Sequence, residues 1–412
     1  MSRAGCIGRC DSTKPPPLRE HVSAALWLNL VMLLSSVSML AVPVMAPAIA
    51  ADLGLSPAFL GTYTAAVWAA SLFTSASAGH LIGRFGAIRV SQGVLVACAA
   101  GLGIAGFGGS VWALIPAALL IGLGHGAEPP ASSSVLARIT PHNQQTFIFS
   151  FKQTGTQIGG MLSGIAFPLA LALMGWRGAL IAAMAILLAA AAALEGPRRR
   201  IERSRAGTGL AAGLSFLQAI RRLLEDGRLL RMSIMSFSFV AIQICLNTFL
   251  VAFLVAERGL SIAVAGSILA SAQIGGLVGR LAFGLVSGRY IGAMRLLGAL
   301  GAGMLGCAAL LGLYGTVMPV LAIGALVFLF GVTASGWNGV HLAEIARLVP
   351  AQDVARVIGA TFLLGTCGII LGPLVFSAIA SSASFATAYL IASTWALLGM
   401  LAVAWPARRR TG

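Results

Sequence analysis

Glu128 is the residue best placed to do chemistry in this chain: a carboxylate inside a long apolar run, followed at once by Pro129 and Pro130. The prolines remove backbone donors and bend the helix that carries them. A carboxylate at membrane depth costs roughly 2.5–3.5 kcal/mol on insertion scales, so it needs a partner, a proton or a task. Two readings stay open: a site that takes up and releases a coupling proton, and one arm of a structural ion pair with Lys152. Lys152 is one of only two lysines in 412 residues and lies in Phe151-Lys152-Gln153-Thr154-Gly155-Thr156-Gln157. Gln153 and Gln157 are four apart and share a helical face. A cation beside amides suits an anionic, carboxylate-like small-molecule substrate. The plainer reading is a lysine that snorkels its ammonium to an interface.

Farther along, Gln243 and Asn247 are again four apart, and Gln273 sits alone in the next apolar run. Another run carries Gly336-Trp337-Asn338-Gly339-Val340-His341-Leu342-Ala343-Glu344. Trp337 can stack on a substrate and Asn338 can hydrogen-bond one, while His341 and Glu344 share a face lower down. Arg280 is expected to pair with an acid such as Glu344. Each amide taken singly can act as glue between helices; together they argue for a polar path. His125 has no assignable role.

These residues must be positioned by membrane-spanning helices. The chain is 58% hydrophobic and only 9% charged, whereas soluble domains carry about a quarter charged residues. Apolar runs of about twenty residues read as spans. Twelve are expected, at about Ala24 to Ala50, Pro57 to Ile82, Ile88 to Phe107, Val111 to Ala137, Phe147 to Met174 and Trp176 to Leu194, then Met232 to Ala256, Ile262 to Ser287, Gly292 to Tyr314, Met318 to Ala346, Val354 to Ala380 and Phe385 to Trp405. Residues 1–20 read as a disordered tail, 21–194 as a six-helix bundle, 195–230 as a basic linker, 231–405 as a second six-helix bundle and 406–412 as a closing tail. The Leu214 to Leu224 part of the linker is amphipathic enough to lie on anionic lipid. The fold class is thus an all-α membrane protein.

The net charge of +16 does not point to nucleic acid, because the arginines fill the gaps between apolar runs. Those gaps alternate in charge. The tail, the Arg84/Arg89 turn, the Arg138 loop, the linker, the Arg289/Arg295 turn, the Arg347/Arg356 loop and the terminal arginines fall on one side, leaving Arg177 and Arg258 on the other. The positive-inside rule then makes both termini cytoplasmic, in a bacterial inner membrane. Cys98, Cys245, Cys307 and Cys367 lie in apolar runs and behave as small hydrophobes. Cys6 and Cys10 give only a weak metal signal. The first run is too long for a cleaved leader and reads as a retained helix.

The chain repeats itself. Gly79-His80-Leu81-Ile82-Gly83-Arg84-Phe85-Gly86-Ala87-Ile88-Arg89 returns as Gly284-Leu285-Val286-Ser287-Gly288-Arg289-Tyr290-Ile291-Gly292-Ala293-Met294-Arg295, with Arg84 and Arg289 205 positions apart. Leu136-Ala137-Arg138-Ile139-Thr140-Pro141 returns as Ile345-Ala346-Arg347-Leu348-Val349-Pro350 at an offset of 209. The turn resembles the signature loop of the major facilitator superfamily, Gly-x3-Asp-Arg-x-Gly-Arg/Lys-Arg/Lys, with Gly83 and Gly288 standing where the family has an acid. In that family the acid helps brace the closed cytoplasmic side. The Gly155-to-Gly160 stretch is similar to the family's fifth-helix antiporter motif Gly-Pro-x2-Gly-Gly, with Thr156 in place of proline.

The resemblance implies a secondary transporter working by alternating access between parallel repeats. The first, fourth, seventh and tenth spans would line a cavity, and the plainer third, sixth, ninth and twelfth would face lipid. The expected activity is proton-coupled uptake of a small organic anion, with Glu128, Lys152, Gln153, Gln157, Gln243, Asn247, Gln273, Trp337, Asn338 and His341 as substrate or proton site. Gly79, Gly83, Arg84, Gly86, Arg89, Arg280, Gly284, Gly288 and Arg289 would form the gating turns. The alternative is efflux of a drug or metabolite by proton antiport. The five scattered histidines and the lack of paired carboxylates speak against an enzyme, and no phosphate-binding loop of the Gly-x4-Gly-Lys-Ser/Thr kind is present. The expected partners are a small-molecule substrate, a coupling proton and membrane lipids, with no cofactor, no metal and no nucleic acid, in a monomer.

Overall fold

A computed structural model describes residues 18–56, 58–139, 145–196, 198, 221, 224–286, 291–348 and 354–404. The expected disordered tail lies almost wholly outside the described residues. So do most of the linker with its amphipathic stretch, Gly288 and Arg289 of the second turn, and the closing arginines.

The chain is helical: α1 (Leu18–Leu53), α2 (Ala58–Phe85), α3 (Ala87–Gly108), α4 (Val111–Ile139), α5 (Gln145–Ala193), α6 (Gly227–Arg258), α7 (Ile262–Val286), α8 (Ala293–Tyr314), α9 (Val320–Leu348), α10 (Val354–Ser382) and α11 (Phe385–Ala404). Among the described residues, eleven helices are long and apolar enough to cross a membrane. The expected fifth and sixth spans are fused into α5, whose 49 residues would run about 73 Å if straight. They do not run straight. Gly175 has φ 70 and ψ 171, outside the helical region, and breaks the element. A Cβ is disfavoured at such a φ, which is why glycine stands there.

Large apolar side chains sit on the outside, among them Val96, Ile104, Ile186, Leu188, Leu310, Leu313, Leu398 and Leu401. They fall on the helices whose sequences are poorest in polar groups. A soluble protein does not expose apolar side chains so widely; this is a multi-pass membrane protein.

Without a hydrophobic drive between helices in lipid, close backbone approach at small residues holds them together. A side chain at Gly122 or Gly126 of α4 would collide with the Val67 or Ser71 carbonyl of α2. Gly275 and Gly279 of α7 meet the Phe328 and Val332 carbonyls of α9 in the same way. The two repeats therefore pack equivalent helices by equivalent means.

The repeats touch each other across two seams. Gly61 of α2 packs on Ser377 and the Pro373 carbonyl of α10, and Gly164 of α5 packs on Gly266 of α7. Both contacts lie toward the end of the bundle opposite the arginine turn. At that end Asp52 accepts hydrogen bonds from Trp176 Nε1 at 3.0 Å and Arg177 Nη2 at 3.2 Å. Glu257 accepts from the backbone N–H groups of Phe385 and Ala386, at the first turn of α11. Asp52 and Glu257 are 205 positions apart, the same offset as the arginine turns.

Candidate functional site

Glu128 on α4 and Lys152 on α5 come together in the interior: Nζ lies 3.5 Å from Oε2, and the side chains are 2% and 0% exposed for the lysine and the acid. Of the two sequence readings for Glu128, the ion pair is present. Lys152 does not snorkel. Neither carboxylate oxygen of Glu128 has a hydrogen-bond partner among the described residues. The ammonium answers the charge at a distance longer than the 2.7–2.9 Å of a good charged hydrogen bond.

The surrounding wall is built from residues that sequence reasoning missed or left without a role. Asn29 of α1 donates to the Phe151 carbonyl at 2.8 Å and the Lys152 carbonyl at 3.1 Å, fixing the backbone that carries the lysine. His125, one turn before Glu128, shares a 2.7 Å hydrogen bond between Nδ1 and Ser35 Oγ and meets the Trp68 ring edge-on at 5.6 Å. Ser132 turns its hydroxyl to the Glu128 carbonyl at 2.9 Å. Asn29 and Ser35 are polar residues inside an apolar run, and that was the signal available for them.

Gln153 and Gln157 part company: Gln157 is buried while Gln153 is exposed. Gln157 Nε2 reaches over the bare backbone of Gly276 on α7 and finds no acceptor among the described residues. Gln273 packs its amide against Gly160 of α5 and donates to Asn247 Oδ1 at 2.9 Å. Gln243 Nε2 donates to Ser335 Oγ at 3.3 Å. The amides of both repeats thus converge on the α5–α7 seam and the α6 and α9 flanks of α7.

Trp337 is buried, donates Nε1–H to the Ala334 carbonyl of its own helix at 3.0 Å, and packs on Phe239 and His341. Its indole is therefore engaged inside the protein. Asn338 is half-buried. His341 is buried with no partner for Nε2 among the described residues. The expected Arg280–Glu344 pair does not form. Glu344 pairs with Arg347, three residues along α9, at 3.3 Å; a neighbour on the same helix face reaches it without crossing to α7. Arg280 is half-buried, and its Nε is sealed from solvent with no acceptor among the described residues.

At the first arginine turn, α2 hands over to α3 through Gly86, with φ 87. Arg84 is exposed and lies over the Phe85 ring at 5.3 Å. A Cβ at Gly83 would meet nothing within 4 Å, so packing does not demand glycine where the family motif has its acid. Gly79 lies within α2 and Gly284 within α7. An acid reaches the turn from elsewhere. Glu195, just past α5, stands 3.2 Å from Arg89 Nη1 and 2.6 Å from Arg198 Nη2, and accepts from Gln92 Nε2 at 3.3 Å. First the Arg198 hydrogen bond, then Gln92 and the nearby arginine charges, hold its carboxyl down to about 2.

Comparison with known proteins agrees with this architecture. A putative metabolite transport protein of Haemophilus influenzae is 24% identical over 370 residues, covering 87% of this chain and 89% of its own. The crystal structure of a bacterial homologue of the human lysosomal transporter Spinster, inward-facing and unoccupied, superposes with a TM-score of 0.76 at 14% identity, covering 95% of this chain and 100% of that one. The nucleoside transporter NupG superposes with a TM-score of 0.74 at 16% identity over 92% of this chain and 99% of its own. The sequence profile of the Major Facilitator Superfamily matches residues 27–344. With that match over most of the chain, on a bundle of membrane-spanning helices, this protein belongs to the Major Facilitator Superfamily and is a membrane transporter rather than an enzyme.

Proposed function

We propose that the protein is a proton-coupled importer of a small organic anion. Its twelve spans would form two six-helix bundles that rock around a central site, with both termini cytoplasmic in a bacterial inner membrane. The Glu128–Lys152 pair carries the reading. At 3.5 Å the two charges attract by about 5 kcal/mol at an effective dielectric near 20, while burying them costs several kcal/mol per ion. The balance is close enough for a proton to tip. Once Glu128 is protonated, Lys152 is a buried cation without its counter-charge, and an anion arriving nearby restores neutrality. Proton and anion then strengthen each other's binding by the same factor. Tight packing at the Asp52 end supports reading the conformation as closed there and accessible from the basic side.

Proteoliposomes supplied with labelled succinate and benzoate test this. An acid-outside gradient drives accumulation that an uncoupler abolishes. Glu128→Gln loses the accumulation and keeps counterflow exchange. Accumulation unchanged in Glu128→Gln removes the proton assignment, and gradient-driven expulsion of label points to antiport efflux instead.

A further inference from the structure

Gln157 and Arg280 each hold out a sealed N–H group that finds no acceptor among the described residues, and the two lie at one seam. The register of α5 against α7 is set by three contacts: Gly164 on Gly266, Gly160 on the Gln273 side chain, and Gln157 on Gly276. The helices run antiparallel, so the next rung toward the arginine turns pairs Gln153 with Arg280. Gln157 is buried and Gln153 is exposed; the seam opens between these two rungs. Arg280 follows Gly276 by one turn, about 6 Å along the axis, a span the arginine side chain can cover.

No carboxylate lies within 4.0 Å of Arg280 among the described residues, because the acid expected there, Glu344, is held by Arg347. Lys152 already has Glu128. Arg280 is therefore a cation within a membrane-spanning helix that lacks a counter-charge among the described residues. Buried donors are rarely left unmet. Two of them one helical turn apart on one seam, one on a guanidinium, call for an acceptor that brings negative charge and two oxygens.

We infer that the mouth of the α5–α7 seam is a carboxylate subsite, with Arg280 gripping the oxyanion and the amides of Gln157 and Gln153 completing it from the opposite repeat. This rests on the organic-anion reading and gives the anion its docking point. A ligand held there touches both repeats at once, so its binding ties them together. A neutral polar ligand would meet the amides but leave the arginine charge unanswered.

The test is calorimetric titration of the full-length protein in detergent with sodium succinate and sodium benzoate, glycerol serving as the neutral control. Arg280→Lys, which keeps a cation, holds binding within about tenfold. Arg280→Gln weakens it by at least about thirtyfold, as expected for removal of one partner of a desolvated charge pair. Gln157→Glu keeps the cation but sets a carboxylate against the ligand, and it lowers affinity to a similar degree. That variant tests the site independently should Arg280→Gln fail to elute as a single folded species. Glycerol produces no heat in any variant. If both Arg280→Gln and Gln157→Glu bind the acids as tightly as wild type, the subsite is refuted while uptake in proteoliposomes leaves the transport reading standing. If wild type neither binds nor accumulates either acid, the subsite and the anion reading fall together.

Discussion

Lys152 Nζ stands 3.5 Å from Glu128 Oε2 with both side chains withdrawn from solvent, linking α4 to α5 through a buried charge pair. An isolated pair of this kind is strongly asymmetric in its response to mutation. Removing one partner strands the other in a medium that penalises it, whereas removing both leaves only a shape to fill.

Glu128→Gln and Lys152→Met should each lower stability by about 3–5 kcal/mol. The double variant Glu128→Gln/Lys152→Met should return to within about 1 kcal/mol of wild type. Thermal unfolding of the purified protein in one detergent reads this as two depressed transitions and one restored. A double variant as weak as the sum of the singles would mean that the residues do not act as a pair.

Anion affinity should rise as pH falls in wild type, because a proton on Glu128 leaves Lys152 seeking negative charge. In Glu128→Gln the dependence should flatten. Titrations of succinate over a series of buffers measure it, and a slope that survives in the variant assigns the proton to another group.

Glu195 lies outside the spans, and its carboxyl is held down to about 2, chiefly by the Arg198 hydrogen bond. A depressed acid stabilises the fold above its ordinary value of 4.5 and loses that contribution as pH falls toward about 2. Its tether to Arg89 therefore stays intact throughout the neutral range. Glu195→Gln should leave the shape of the transport pH profile unchanged while speeding amide exchange at the start of α3. A displaced profile would make Glu195 part of the coupling path.

Gly164 packs directly on the Gly266 carbonyl. Gly164→Val cannot fit that seam without parting the helices, so it should disfavour the present conformation and slow net uptake at least about tenfold while the protein still folds. Labelling of the near-isosteric Ser377→Cys, which faces Gly61 on the other seam, should accelerate in this background. Unchanged labelling would show that the two seams open independently.

Much of the fold was legible because a bilayer imposes simple rules. Run length placed the helices, and the repeated Gly-Arg turn announced two related units. The Gly175 break was less legible: the expected boundary between Met174 and Trp176 was right in position, but a single glycine with left-handed φ replaces the loop. Glu128 and Lys152 could be picked out because charge is rare in apolar runs. Which cation meets which acid could not. Arg280 and Glu344 looked like partners on adjacent helices, yet Arg347 competes from one turn away. Helical spacing also put Gln153 and Gln157 on one face, but spacing says nothing of where a seam between repeats ends, and that divides them. Glu195, which meets Arg89 at the turn, is separated from it in sequence by nearly all of α3 and the whole of α4 and α5 and could be found only in three dimensions.

The carboxylates Asp52 and Glu257 fasten the first helix of each repeat to its last at the same rim. A bundle hooped in this way cannot splay helix by helix on that side. Under the proposed rocking of the two bundles, access there would come from tilting an entire repeat against its twin, with the tightly packed rim as the pivot edge.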